Sequence, residues 1–88
     1  MSSPTPGTVL SGASVTFTWN AANGATAYWL DVGTVQGQGN ISAGQLANTV
    51  TTKTVTGIPT NGAPIYVRLW TQFNGSTWQY IDYAYTAF

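Results

Sequence analysis

Ser14-Val15-Thr16-Phe17-Thr18-Trp19-Asn20 carries the clearest structural signal in the chain. Apolar Val15, Phe17 and Trp19 alternate with polar Ser14, Thr16, Thr18 and Asn20. Successive side chains of a strand point to opposite faces, so a period of two gives one buried face and one wet face. β-branched and aromatic residues suit that half-buried pleated surface. Outward along the chain the pattern recurs. Residues 26–34 alternate Tyr28, Leu30 and Val32 with Trp29 and Asp31, and residues 64–72 alternate Ile65, Val67 and Leu69 with Tyr66, Arg68 and Trp70. Nowhere do about eleven residues keep an apolar spacing near 3.6, and Gly, Thr and Pro interrupt throughout, which excludes helix.

The remaining strands follow from the punctuation. Asn23-Gly24, Asn61-Gly62 and Asn74-Gly75 are turn dipeptides. They leave seven predicted strands, at residues 8–11, 14–20, 26–34, 40–42, 49–57, 64–72 and 76–87. Residues 35–50 are the weakest part, because Gly37, Gly39 and Gly44 break the alternation. Short strands with regularly spaced turn signals predict an all-β, two-sheet antiparallel β-sandwich or a small barrel. The Pro/Gly-rich residues 2–7 read as a linker or a leading edge.

Several segments together resemble fibronectin type III domains and bacterial immunoglobulin-like repeats. Val15-Thr16-Phe17-Thr18-Trp19 resembles the second strand, which carries an inward Trp. Val55-Thr56-Gly57-Ile58-Pro59 resembles the fifth, and Tyr66-Val67-Arg68-Leu69 the sixth. Pro6-Gly7-Thr8-Val9-Leu10-Ser11-Gly12 is similar to the first strand of the bacterial repeats. The resemblance implies a module that serves as spacer or binding domain, with the third, sixth and seventh strands adjacent and the sixth in the middle. Fold by itself assigns no function.

Composition narrows the classes. A chain of 88 residues is one domain, burying roughly 60% of its unfolded surface. Its only charged side chains are Asp31, Lys53, Arg68 and Asp82, and the net charge is zero. That supplies no basic footprint for nucleic acid and no electrostatic hold on an anionic membrane. No apolar run approaches the ~18 residues of a membrane-spanning helix. There is no Cys, so no disulfide and no thiolate metal site. A surface kept soluble by Thr, Ser, Asn, Gln and Gly suits an extracellular or cell-surface module of a bacterial exported protein. Met1 ahead of polar Ser2-Ser3-Pro4 reads as an initiator on a module taken from a larger protein, with neighbouring domains and any targeting signal upstream.

The alternation sorts the candidate site. Burying Asp31 or Arg68 unpaired is costly, so Tyr28, Leu30, Val32, Ile65, Val67 and Leu69 are expected inside. On the last strand Ile81, Tyr83 and Tyr85 join them. The outer face of the sheet then carries Trp29, Asp31, Tyr66, Arg68, Trp70, Trp78, Tyr80 and Asp82. A two-residue turn at Asn74-Gly75 would force Asp82 inward. A three-residue loop of Phe73-Asn74-Gly75 avoids this and predicts Trp70 opposite Trp78, Arg68 opposite Tyr80 and Tyr66 opposite Asp82.

This face has two readings. In one it is a staple, since cross-strand pairs contribute roughly 0.2–1 kcal/mol each to a sheet. In the other it is a platform for a glycan or protein ligand, since contiguous exposed aromatic surface marks interaction sites and Trp, Tyr and Arg are the usual anchors. A sugar platform wants coplanar rings, and a staple wants rings packed over Arg68. A third reading is self-association in an adhesin or filament array, through this face or through an edge strand. Catalysis is not expected: His and Cys are absent. The one carboxylate pair, Asp31 and Asp82, lies on a flat face beside Arg68, the opposite of the setting that raises an acid catalyst's pKa. Two carboxylates on separate strands do not make a calcium site, and no cofactor is implied. Asn40-Ile41-Ser42 and Asn74-Gly75-Ser76 match the glycosylation pattern as chance occurrences in Asn- and Ser-rich loops.

Overall fold

The computed structural model describes all 88 residues. The chain is all-β, with six strands in two antiparallel sheets. They are β1 (Val15–Thr18), β2 (Ala25–Gly33), β3 (Ser42–Ala47), β4 (Thr52–Val55), β5 (Pro64–Phe73) and β6 (Thr77–Thr86). One sheet is β1-β4 and the other runs β3-β2-β5-β6. β5 thus lies between β2 and β6, the adjacency expected for those strands.

The core forms where the inward rows of the two sheets meet. Val15, Phe17, Trp19 and Val55 face Tyr28, Leu30, Val32, Ile65, Val67, Leu69 and Tyr85, with Leu10, Ile58 and Ala87 completing the cluster. Trp19 is only 3% exposed and meets Tyr28 edge-on at 5.8 Å. Phe17 meets Tyr85 in the same way at 5.7 Å. Aromatic pairs favour this geometry because the positive edge of one ring meets the negative face of the other. Tyr28 accepts the Ala22 N–H at 2.8 Å, and Tyr85 donates to the Pro4 carbonyl at 2.9 Å. Burial pushes the Tyr85 phenol up to about 12, with Tyr83 adding to the effect. The outward side of β1-β4 is a threonine ladder, Thr16 to Thr54 at 2.8 Å and Thr18 to Thr52 at 3.4 Å.

Four expectations are corrected. There are six strands rather than seven, because the expected first strand is reduced to a single parallel bridge, Val9 to Thr86. The opening segment crosses from one sheet to the other. Ser3 pairs with Thr18 beside β1, and Leu10 then donates to Thr86 beside β6. Neither contact is long enough to make a ladder. The edge strand lies at Ser42–Ala47 rather than 40–42. Ser-Ala-Gly-Gln-Leu-Ala has no β-branched residue, so pairing with β2, not local propensity, makes it a strand. Ile81 is 61% exposed rather than core. It points inward from β6, but β1 and β4 are four residues long against ten in β6 and do not reach over it.

The fourth correction sets the geometry of the site. Asn74 and Gly75 both take positive φ, 55° and 68°, and Ser76 N–H bonds the Phe73 carbonyl at 3.1 Å. This is the turn Asn-Gly prefers. Ser76 remains as a third loop residue, and the ladder closes at Phe73 opposite Thr77. The three-residue loop is therefore Asn74-Gly75-Ser76, not Phe73-Asn74-Gly75. The register shifts by two from the expected one, so every side chain keeps its face and every cross-strand partner changes.

Candidate functional site

With this register the outer face of the four-stranded sheet is a lattice. One row across β3, β2, β5 and β6 reads Gln45, Trp29, Trp70, Tyr80. The next reads Ala43, Asp31, Arg68, Asp82. Trp78 lies opposite Gln72, and Tyr66 lies between Gly33 and Ala84 at the far end. All eight predicted residues thus share one face. Arg68 is opposite Asp82 rather than Tyr80, and Trp70 is opposite Tyr80 rather than Trp78.

Arg68 has a carboxylate on each neighbouring strand and pairs with only one. Its Nε donates to Asp82 Oδ1 at 2.7 Å and its Nη2 to Oδ2 at 3.0 Å, a bidentate pair. The guanidinium also stands 3.9 Å from the centre of the Tyr80 ring. Gln36 donates to Asp82 Oδ2 at 2.9 Å. The hydrogen bonds from Arg68 hold the Asp82 carboxyl below its ordinary value; burial opposes them and Gln36 adds to them. The same bonds push the Arg68 guanidinium up.

Asp31 is held differently. Its Oδ1 accepts the Trp29 indole N–H at 2.7 Å, and its Oδ2 accepts that of Trp70 at 3.0 Å. Trp29, Asp31, Trp70 and Trp78 line an open recess of about 360 Å³. Trp70 and Trp78 stand with ring planes 86° apart and centroids at 6.5 Å. Trp70 and Tyr80 are tilted by 54° at 4.8 Å. Trp70 therefore belongs to both clusters, while Tyr66 belongs to neither.

The connection between β2 and β3 was legible in the sequence only as a break in pattern, and it is part of the site. Thr34 and Asn40 tie its ends together: Asn40 Oδ1 accepts the Thr34 N–H, and Asn40 Nδ2 donates to Thr34 Oγ1, both at 3.0 Å. Gly37, at φ +80°, lies so close to Arg68 that a Cβ would come 3.0 Å from Nη1. At Gly39 a Cβ would come within 2.7 Å of Asp31 Oδ1. The two glycines let the backbone lie down against the charged row. Their spacing beside a face holding three of the four charges was the available signal for this. Gln36 carried no signal of its own.

No protein-family model, curated protein or solved structure matches the chain.

Proposed function

We propose that this chain is a non-catalytic interaction module of fibronectin type III-like or bacterial immunoglobulin-like design, and that it takes its ligand in the recess of the outer sheet face. Its setting is an exported, multidomain protein at the cell surface or outside the cell. The strand order β3-β2-β5-β6 opposed to β1-β4, with Trp19 between the sheets, supports the design.

One observation carries the binding role. Asp31 is turned toward Trp29 and Trp70 rather than toward Arg68, which leaves three tryptophans and a carboxylate around an open recess. A sheet needing only a staple has Arg68 between two carboxylates to build one. The non-catalytic reading rests on the chemistry present: the two carboxylates are engaged by Arg68 and by indole N–H groups, with no His or Cys to act beside them. A screen of glycans, peptides and small organic ions against the chain and its Trp78→Ala variant tests the reading. The expected result is a ligand class retained by the parent and lost by the variant, with the variant still folded. A chain that retains nothing is a spacer.

A further inference from the structure

We infer that the recess binds a quaternary ammonium head group, the trimethylammonium carried by choline and its esters. The inference rests on the proposed binding role of the recess and names its ligand chemistry.

Charge gives the first argument. The outer face holds two carboxylates and one guanidinium, which makes its bidentate pair with Asp82 and stands 5.7 Å from the Trp70 ring centroid. The excess negative charge is Asp31, and it lies in the wall of the recess. The other three lining residues are tryptophans, whose ring faces attract cations more strongly than any other side chain's.

Hydrogen bonding gives the second. The indole N–H groups of Trp29 and Trp70 are both spent on Asp31, one on each carboxylate oxygen, which leaves the Trp78 indole N–H as the one free donor among the lining tryptophans. Gly39 backs closely onto Oδ1. A sugar needs directional partners for its hydroxyls, and a primary ammonium brings three donors that need acceptors. A trimethylammonium has no donor and no acceptor. It asks only for charge and for surfaces that take methyl groups.

Shape gives the third. Trp70 and Trp78, at 86°, form a corner rather than a platform. A flat sugar ring stacks on one plane, whereas a near-spherical cation touches both walls of a corner. The volume, about 360 Å³, falls at the small end of ligand sites, which run from roughly 300 Å³ upward.

The test is a tryptophan-fluorescence titration of the chain with choline and with its neutral isostere, in which a tert-butyl group replaces the trimethylammonium. Choline is expected to bind at least about tenfold more tightly than the isostere. Trp78→Ala and Asp31→Asn are each expected to abolish that preference. Trp78 makes no side-chain hydrogen bond, so its variant keeps the test alive if Asp31→Asn disturbs folding. Equal binding of the two probes, or a preference that survives Trp78→Ala, overturns the inference. Sedimentation with phosphatidylcholine vesicles, run beside free choline, separates a lipid-borne head group from a soluble one; either source upholds the site. If glycans or peptides bind the recess and choline does not, the ammonium inference falls and the binding module stands. If nothing binds, both fall.

Discussion

Two halves of one sheet face, sharing Trp70, use the same residue types and end in different states. Around Arg68 the charges close on each other: a bidentate pair with Asp82, a ring of Tyr80 beneath, Gln36 at the side and Gly37 pressed against it. Around Asp31 the carboxylate is held by two indoles, with no cation of its own, and a recess stays open. The difference comes from one choice. Asp31, Arg68 and Asp82 lie in a single cross-strand row, so either carboxylate is within the reach of Arg68. The β2–β3 connection touches both halves. Gly37 lies too close to the guanidinium to leave room for a side chain, Gln36 joins Asp82, and Gly39 backs onto the other carboxylate. One face therefore carries a closed ion pair and an open recess side by side.

The core sets the scale against which both halves are read. Trp19→Ala should cost about 3–5 kcal/mol, the range for a large buried aromatic, against a total of about 5–15 kcal/mol for natural domains. Urea denaturation measures it. A loss below about 1 kcal/mol would mean that the sheets are not held together at Trp19.

Gly37→Ala sharpens the contrast. It puts a side chain at φ +80° and a Cβ 3.0 Å from Arg68 Nη1, at a cost of about 1–2 kcal/mol for the left-handed conformation alone. The same denaturation experiment reads it. Choline binding at the open half should persist, because Gly37 contacts Arg68 and not the recess. Lost binding in a folded Gly37→Ala would mean that the halves are not separable.

Acid should distinguish the halves by a smaller effect. Asp82 has its folded pKa depressed below its unfolded value, first through Arg68. Its contribution is present above the unfolded value of 3.8 and is lost as pH falls through the folded one. Thermal melts taken downward from pH ~5 should decline more steeply for the parent than for Asp82→Asn. Parallel declines would remove Asp82 from the account.

The inward rows were legible from alternation alone, because burying Asp31 or Arg68 would cost more than any rival arrangement returns. The eight outer residues followed from the same parity, and they kept their face through a register error of two. Three things were not legible. The β5–β6 register depends on whether Ser76 joins the loop or the strand, and neither Ser nor Thr77 marks the boundary. Ile81 fits the inward row perfectly, but its exposure depends on how far β1 and β4 extend, which its own strand does not encode. The loop over the charged row was hidden because Gly37 and Gly39 have no side chains to read, and that lack is what lets the backbone approach. The choice of Arg68 between two carboxylates was hidden with it.

The division of the face into a structural half and an open half is tested most directly by melting Arg68→Gln and Trp78→Ala side by side. Arg68→Gln breaks the bidentate pair and leaves Asp82 without its counter-charge. Trp78→Ala removes one edge-on aromatic contact, worth about 0.5–1 kcal/mol, or at most roughly 8 °C for a domain of this size. The larger fall in melting temperature is expected for Arg68→Gln, and loss of ligand binding only for Trp78→Ala. A larger fall for Trp78→Ala, with Arg68→Gln melting like the parent, would contradict that division.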